Sequence, residues 1–205
     1  MWGQRAVLSG ARLKLRPLTP AHAPLLLAAA ADGELWRSKV TRIPDGETVA
    51  VYIGDAVAGA DAGHTLAFAT TLRADGMVVG STRFWLMDRR NRSVEIGHTW
   101  ISAGWQRSYV NTEAKYLMLR FAFDVLGCIR VQFQTDVLND RSRAAILRLG
   151  AQCEGVARQE RIMPDGRKRD SIRFSIIDGE WPQVRENLER RLDGHVSFSV
   201  GESSG

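Results

Sequence analysis

The sequence predicts an α/β (α+β) fold with a mixed central β-sheet of about seven strands and helices on both faces. Three observations lead there. Runs with apolar residues at every second position alternate with runs of helical period along the 205 residues. Three strand-like runs follow one another in mid-chain, separated only by turns. A strand–helix–strand succession then follows, which mixes strand directions and puts helices on both faces.

Each element has a local reason. From Leu8 to Arg16, Leu13 and Leu15 share one face while Arg12, Lys14 and Arg16 share the other, a strand pattern. Thr19-Pro20 supplies an N-cap and a proline at the first helical position, opening a helix to about Ala31. A connection over 32–45 precedes an alanine-rich helix from about Gly46 to Ala60. The meander runs over His64–Leu72, Met77–Met87 and Ser93–Ser102, with turns at Ala74-Asp75-Gly76 and Asp88–Asn91. Asn111-Thr112-Glu113 is expected to cap a long helix that stops at Gly127. Ile129–Asp136 reads as a strand, and Asn139–Leu149 as a short helix stopped by Gly150. Strands over Cys153–Met163 and Arg167–Ile177 flank the turn Pro164-Asp165-Gly166, and Trp181–Leu192 is a polar terminal helix. Residues 1–193 are expected to form one domain, followed by a loosely held tail over 194–205.

Composition narrows the class. With 44% hydrophobic and 25% charged residues, the chain has the balance of a soluble globular protein. At this length folding hides roughly 70% of the extended chain's surface, enough for one sizeable core. The longest uncharged apolar run, Ala23–Ala31, falls well short of the ~20 residues a membrane-spanning helix needs. No secretory signal is visible, and Cys128 and Cys153 suggest neither a disulfide framework nor a metal site. A reducing cytoplasm is expected, with both thiols packed as small apolar groups. The net charge of +5 comes almost wholly from arginine, and the densest basic patches are 88–92 and 167–169. Without a basic stripe or a known motif, nucleic acid is not the expected partner. Attraction to an anionic ligand is the milder implication.

The chemistry concentrates where the strand over 93–102 runs through a polar loop into the long helix. Successive loop N–H groups, added to the positive end of a helix, form an anion cradle. Neither GxxxxGK[ST] nor GxGxxG occurs, so this is no triphosphate loop and no dinucleotide fingerprint. The segment Gln106-Arg107-Ser108-Tyr109-Val110-Asn111 resembles the [QR]xxGx[GA] coenzyme A loop of the GNAT N-acetyltransferases. Tyr109 and Asn111 stand where that pattern has glycine and Gly/Ala. The run Trp105–Lys115, with Val-Asn-Thr-Glu-Ala-Lys, is similar to the ribosomal-protein alanine N-acetyltransferase-like branch. So are Asp136–Ile146, Leu149-Gly150-Ala151, Met163–Arg167 and Asp178–Trp181.

The resemblance, which covers roughly residues 8–182, implies an acetyl-CoA-dependent N-acetyltransferase. The acetyl group would pass to a primary amine, on a protein N-terminus or a small molecule, by direct attack on the thioester. The diphosphate would be held by main-chain N–H groups from Gln106 through Arg107, Ser108, Tyr109, Val110, Asn111 and Thr112, helped by the Arg107 side chain. The pantetheine arm would add along Thr99, Trp100 and Ile101 like an extra strand. Asn139 and Ser142 would approach the thiol end. Glu95 stands where many family members carry the base. A structural carboxylate paired with Arg83 or another neighbour is the competing reading, and His98 is a second candidate base. The tyrosine that often protonates the departing thiolate is missing from 139–150, where Ser142 is the single hydroxyl. Trp36, Arg37 and Trp85 are expected to border the acceptor. A monomer or homodimer is expected, without metal, nucleic acid or membrane. A non-catalytic acyl-CoA sensor is the alternative function.

Overall fold

Leu13 and Leu15 are fully buried and Lys14 and Arg16 exposed, as the alternation requires, but the first strand is a hairpin. A tight turn, closed by Gly10 N–H donating to the Leu13 carbonyl (2.9 Å), divides β1 (Ala6–Ser9) from β2 (Leu13–Pro17). The computed structural model describes residues 2, 4–163 and 165–202. The meander is β3 (Leu66–Leu72), β4 (Val78–Asp88) and β5 (Ser93–Ile101). It is followed by β6 (Arg130–Asp136) and the hairpin β7 (Gln152–Ile162) and β8 (Lys168–Ile177). A last strand, β9 (Ser199–Glu202), pairs antiparallel with β1. The described strands form one sheet in the order β7-β8-β6-β5-β4-β3-β2-β1-β9.

The nine strands exceed the expected seven for two reasons. The turn at Gly10 splits the first strand, and Ser199–Glu202, within the expected loose tail, joins the sheet while Phe198 and Val200 pack on the core. The Pro164 of the expected turn lies outside the described residues. Around it, Met163 N–H donates to the Arg167 carbonyl (2.9 Å) and closes the β7–β8 hairpin.

Helices α1 (Ala23–Ala31) and α2 (Val49–Asp61) cover one face through a core containing Leu26, Ile53 and Ala69. Helices α3 (Tyr109–Arg120), α4 (Asp140–Leu149) and α5 (Trp181–Arg191) cover the other, over Phe68, Phe84, Leu117 and Val131. The α3 helix begins two residues before the expected Asn111 because Ser108, not Asn111, caps it. A π-helical turn over Phe121–Val125 ends it. Cys128 is buried, but Cys153 is exposed, since its strand β7 lies at the sheet edge.

The pairing between β5 and β6 shapes the site. All neighbouring strands are antiparallel except these two, which pair in parallel only at Ser93–Arg130, Val94–Val131 and Glu95–Gln132. Beyond Glu95 the two strands part. The rest of β5 keeps its hydrogen bonds to β4 on one side, and no described strand pairs with its other edge.

Candidate active site

The opened edge of β5 leads through a single 3₁₀ turn, Ala103–Trp105, into the N-terminus of α3. That helix end is pinned from below. Buried Glu113 accepts N–H bonds from Arg12 (2.8 Å) and Leu13 (3.1 Å), and the Arg12 guanidinium reaches its second oxygen at 3.2 Å. The carboxylate fits only because residue 10 is glycine, where a Cβ would lie 2.4 Å from its oxygen. Ser108 Oγ accepts from Val110 N–H (3.2 Å) and donates to the Trp105 carbonyl (2.7 Å), fixing the loop. The backbone N–H groups of Arg107, Ser108 and Tyr109 have no acceptor among the described residues. They precede the helical ladder and add to the positive helix end, an arrangement that suits an anion.

Tyr109, at the family's glycine position, fits this loop. The left-handed torsion falls instead on Arg107 (φ 60°), and Tyr109 opens the helix with ordinary torsions. Its ring packs beneath the Arg12 guanidinium, 3.9 Å from the centroid, and edge-on to Trp105. Gln106 donates to the Ile101 carbonyl (2.8 Å) and accepts from Arg141 at the start of α4, tying loop, strand and helix together. Val110 is buried in the core, while Asn111 and Thr112 are half-buried in the first turn of α3.

On the α3 face of the opening, Thr99 and Thr82 share a hydrogen bond (2.8 Å), and both receive the Lys115 ammonium, at 2.6 and 3.0 Å. This lysine is buried and has no carboxylate partner among the described residues. Burial pushes it down to about 7. Trp100 points to the other face, where its indole N–H donates to the Tyr52 hydroxyl (3.3 Å).

Glu95 lies on that second face, at the last paired position before the strands separate. It is 4% exposed and accepts from Gln132 Nε2 at 3.1 Å. Burial raises its pKa above the ordinary carboxylate value. The Trp85 indole dipole, the charge of Arg161 and the Gln132 bond offset this only in part. Of the expected structural partners, Arg83 makes no ion pair with it, and Gln132 is the neighbour that binds it; the Arg83 Nε and one terminal nitrogen are buried without partners. His98 occupies a β-bulge with φ 49° and packs edge-on to Trp85, centroids 5.1 Å apart. Burial, and then the charges of Arg83, Arg161, Arg42 and Arg169, push it down to about 3, which leaves it a very weak base.

Asn139 caps α4 by accepting Ser142 N–H (3.1 Å), and its amide reaches the Thr41 hydroxyl at 3.5 Å. Ser142 stays half-buried, with its hydroxyl unengaged among the described residues. Trp85 stands beside Glu95, but Trp36 and Arg37 have no hydrogen bond, ion pair or ring contact with this cluster. Trp36 packs against the α1–α2 core, and Arg37 pairs with Glu34 at the surface (3.1 Å). Sequence reasoning missed Gln132, Arg161, Arg169 and Lys115. Only the short β5–β6 register brings Gln132 beside Glu95, and no spacing within the chain encodes it.

No group of three or more candidate metal ligands occurs among the described residues, and none of their helices is long and apolar enough to cross a membrane. The acetyltransferase (GNAT) domain family matches residues 12–152. YdaF of Bacillus subtilis (strain 168), which carries the name of a ribosomal N-acetyltransferase, is 32% identical over 107 residues. The match covers 52% of this chain and 57% of YdaF, so the chain spans little more than half of that curated relative. A crystal structure from T. thermophilus, named as an acetyltransferase, superposes with a TM-score of 0.81 at 34% identity, covering 94% of this chain and all of that one. RimJ of Mycobacterium smegmatis, in complex with CoA-disulfide, shares the fold with a TM-score of 0.79 at 21% identity over 96% of this chain and 99% of its own. With an opened β5 edge, an amide-lined loop before α3 and a family match over 141 of its 205 residues, the chain belongs to the GNAT acetyltransferase domain family.

Proposed function

We propose that the protein is an acetyl-CoA-dependent N-acetyltransferase acting on a primary amine. The observation that carries this reading is the continuity of three features. Loop N–H groups at 107–109 lie at one end, the unpaired β5 edge runs from them, and buried Glu95 stands where that edge begins. The family relationship and the CoA complex of a fold neighbour support the choice of cofactor.

The residues present fit such a group, since the loop offers amides without acceptors and Tyr109 packs under Arg12. Arg107, Ser108 and Tyr109 would hold the diphosphate, with Thr99–Ile101 offering backbone to the pantetheine arm. When bound, the cofactor supplies an acetyl group activated as a thioester. Glu95 accepts the proton that the attacking amine releases, and its raised pKa brings it closer to neutrality, where a base exchanges protons efficiently. Gln132 holds the carboxylate in place. The Ser142 hydroxyl can donate to the leaving sulfur. A thiol pKa near 8.5 makes a stronger acid unnecessary. An α-amine, with a pKa near 8, presents roughly a tenth of its molecules neutral at pH 7, against far less than 1% for a lysine amine. The site therefore suits α-amines, including protein N-termini.

Thiol release from acetyl-CoA against a panel of amines and N-terminal peptides tests the reading. Release that depends on the amine and falls at least tenfold in Glu95→Gln is expected. Tight CoA binding with no release for any amine would instead identify a sensor.

A further inference from the structure

The α1–α2 face of the opening carries more positive charge than its carboxylates neutralise. Arg83 is 6% exposed, and its guanidinium lies over the Tyr52 ring (4.7 Å) with two nitrogens unbonded. A buried guanidinium without a carboxylate is costly, and among the described residues only the Tyr52 ring offsets part of that cost. From the opposite wall, the β7–β8 hairpin reaches across, setting the Arg161 guanidinium 5.2 Å from the centre of the Trp85 ring. Arg169 is the cross-strand partner of Arg161 and is half-buried, and Arg42 comes from the connection before α2. The hairpin also meets that connection directly, since Arg167 donates to the Lys39 carbonyl at 3.3 Å.

None of Arg42, Arg83, Arg161 and Arg169 has an ion-pair partner among the described residues. Three acids lie nearby, and Arg161 acts on Glu95 and Glu160 through charge alone, without an ion-pair contact. Asp136 pairs with Arg167, Glu160 binds Arg173 and Gln134, and Glu95 accepts from Gln132. The phosphate-suited loop at 107–109 belongs to the α3 end, whereas Arg83 and His98 lie on the face of α2, so these arginines are separate from it. A guanidinium fork matches the two oxygens of a carboxylate.

Resting on the acetyltransferase reading above, we propose that the acceptor is a carboxylate-bearing amine. Its carboxylate is received between Arg83 and Arg161 while its amine faces Glu95. Two sources share this chemistry: a free acidic amino acid, and a peptide whose N-terminal residues include Asp or Glu.

Two measurements test this, the first on CoA-loaded protein and the second with acetyl-CoA as the donor. In the first, binding is read by tryptophan fluorescence with free glutamate against glutamine amide, and with Glu-Ala-Ala-Ala amide against Gln-Ala-Ala-Ala amide. In the second, kcat/KM for acetyl transfer is measured on the same pairs. At least a tenfold preference for the acidic member is expected in one pair or both, and which pair shows it identifies the source. Arg161→Met, on the half-exposed hairpin, should collapse that preference to less than threefold by weakening the acidic ligand. Arg83→Gln should do the same if it folds. Equal binding of acidic and neutral members, or a preference unchanged by Arg161→Met, overturns the proposal even if acetyl transfer proceeds. A binding preference without transfer to any amine would uphold the anion site and reject the acetyltransferase reading.

Discussion

Two buried ionisable side chains, Glu95 and Lys115, face opposite sides of the opened strand, and each has a pKa moved by burial. Glu95 is raised, so the folded state holds its proton more tightly than the unfolded chain does. Its ionisation therefore lowers stability as pH rises from the ordinary carboxylate value through the raised one. Glu95→Gln should then unfold no earlier than the parent at pH 7, while losing at least tenfold in turnover. Its kcat/KM should also lose the acid limb, which in the parent lies above pH 4.5. An unchanged pH profile would remove Glu95 from the proton path. Lys115 is displaced downward, to about 7, so the folded state resists its protonation. Stability should rise with pH between about 7 and 10.5 from this group alone. Lys115→Met is expected to raise the Tm at pH 6, with the gain shrinking toward pH 10. A gain that grows with pH would contradict the assignment. Glu95 was legible in the sequence as a candidate on its strand. Its environment was not, because Gln132 and Arg161 reach it only through sheet pairing and a hairpin that crosses the opening.

At the scale of elements, α3 opens the candidate site and is held by the hairpin turn beneath it. Glu113→Ala would leave the Arg12 and Leu13 N–H groups without their acceptor, at a cost of about 2–4 kcal/mol. Because the same contact fixes the helix start, CoA affinity should fall with it, as chemical denaturation and calorimetric titration can read together. Gly10→Ala drives a methyl against the same carboxylate and should destabilise by about 1–3 kcal/mol. The long helix was readable from its apolar stripe, and the strand alternation marked most of the sheet. The break at Gly10 was missed because a three-residue turn inside an alternating run leaves the polar–apolar pattern nearly intact. The cap was placed at Asn111 because that side chain suits an N-cap. In the fold Ser108 takes the role, since its hydroxyl also receives support from the Trp105 carbonyl.

Across the whole molecule, the proposed function rests on two strands that begin as neighbours and then separate. The mixed sheet and the helices on both faces followed from the order of periods. The resemblance in Gln106–Asn111 pointed to the loop whose N–H groups at 107–109 have no acceptor among the described residues. The divergence after Glu95 could not be read locally, because it depends on where β6 and β8 settle. The arginines whose charges act on His98 come from four separate segments of the chain, so only the folded sheet gathers them. Titrating CoA into isotope-labelled protein and following backbone amide resonances tests the central claim most directly. The largest shifts should fall on Arg107, Ser108 and Tyr109, with a second group along Thr99–Ile101. Saturable binding that leaves those amides unmoved and shifts residues elsewhere would contradict it.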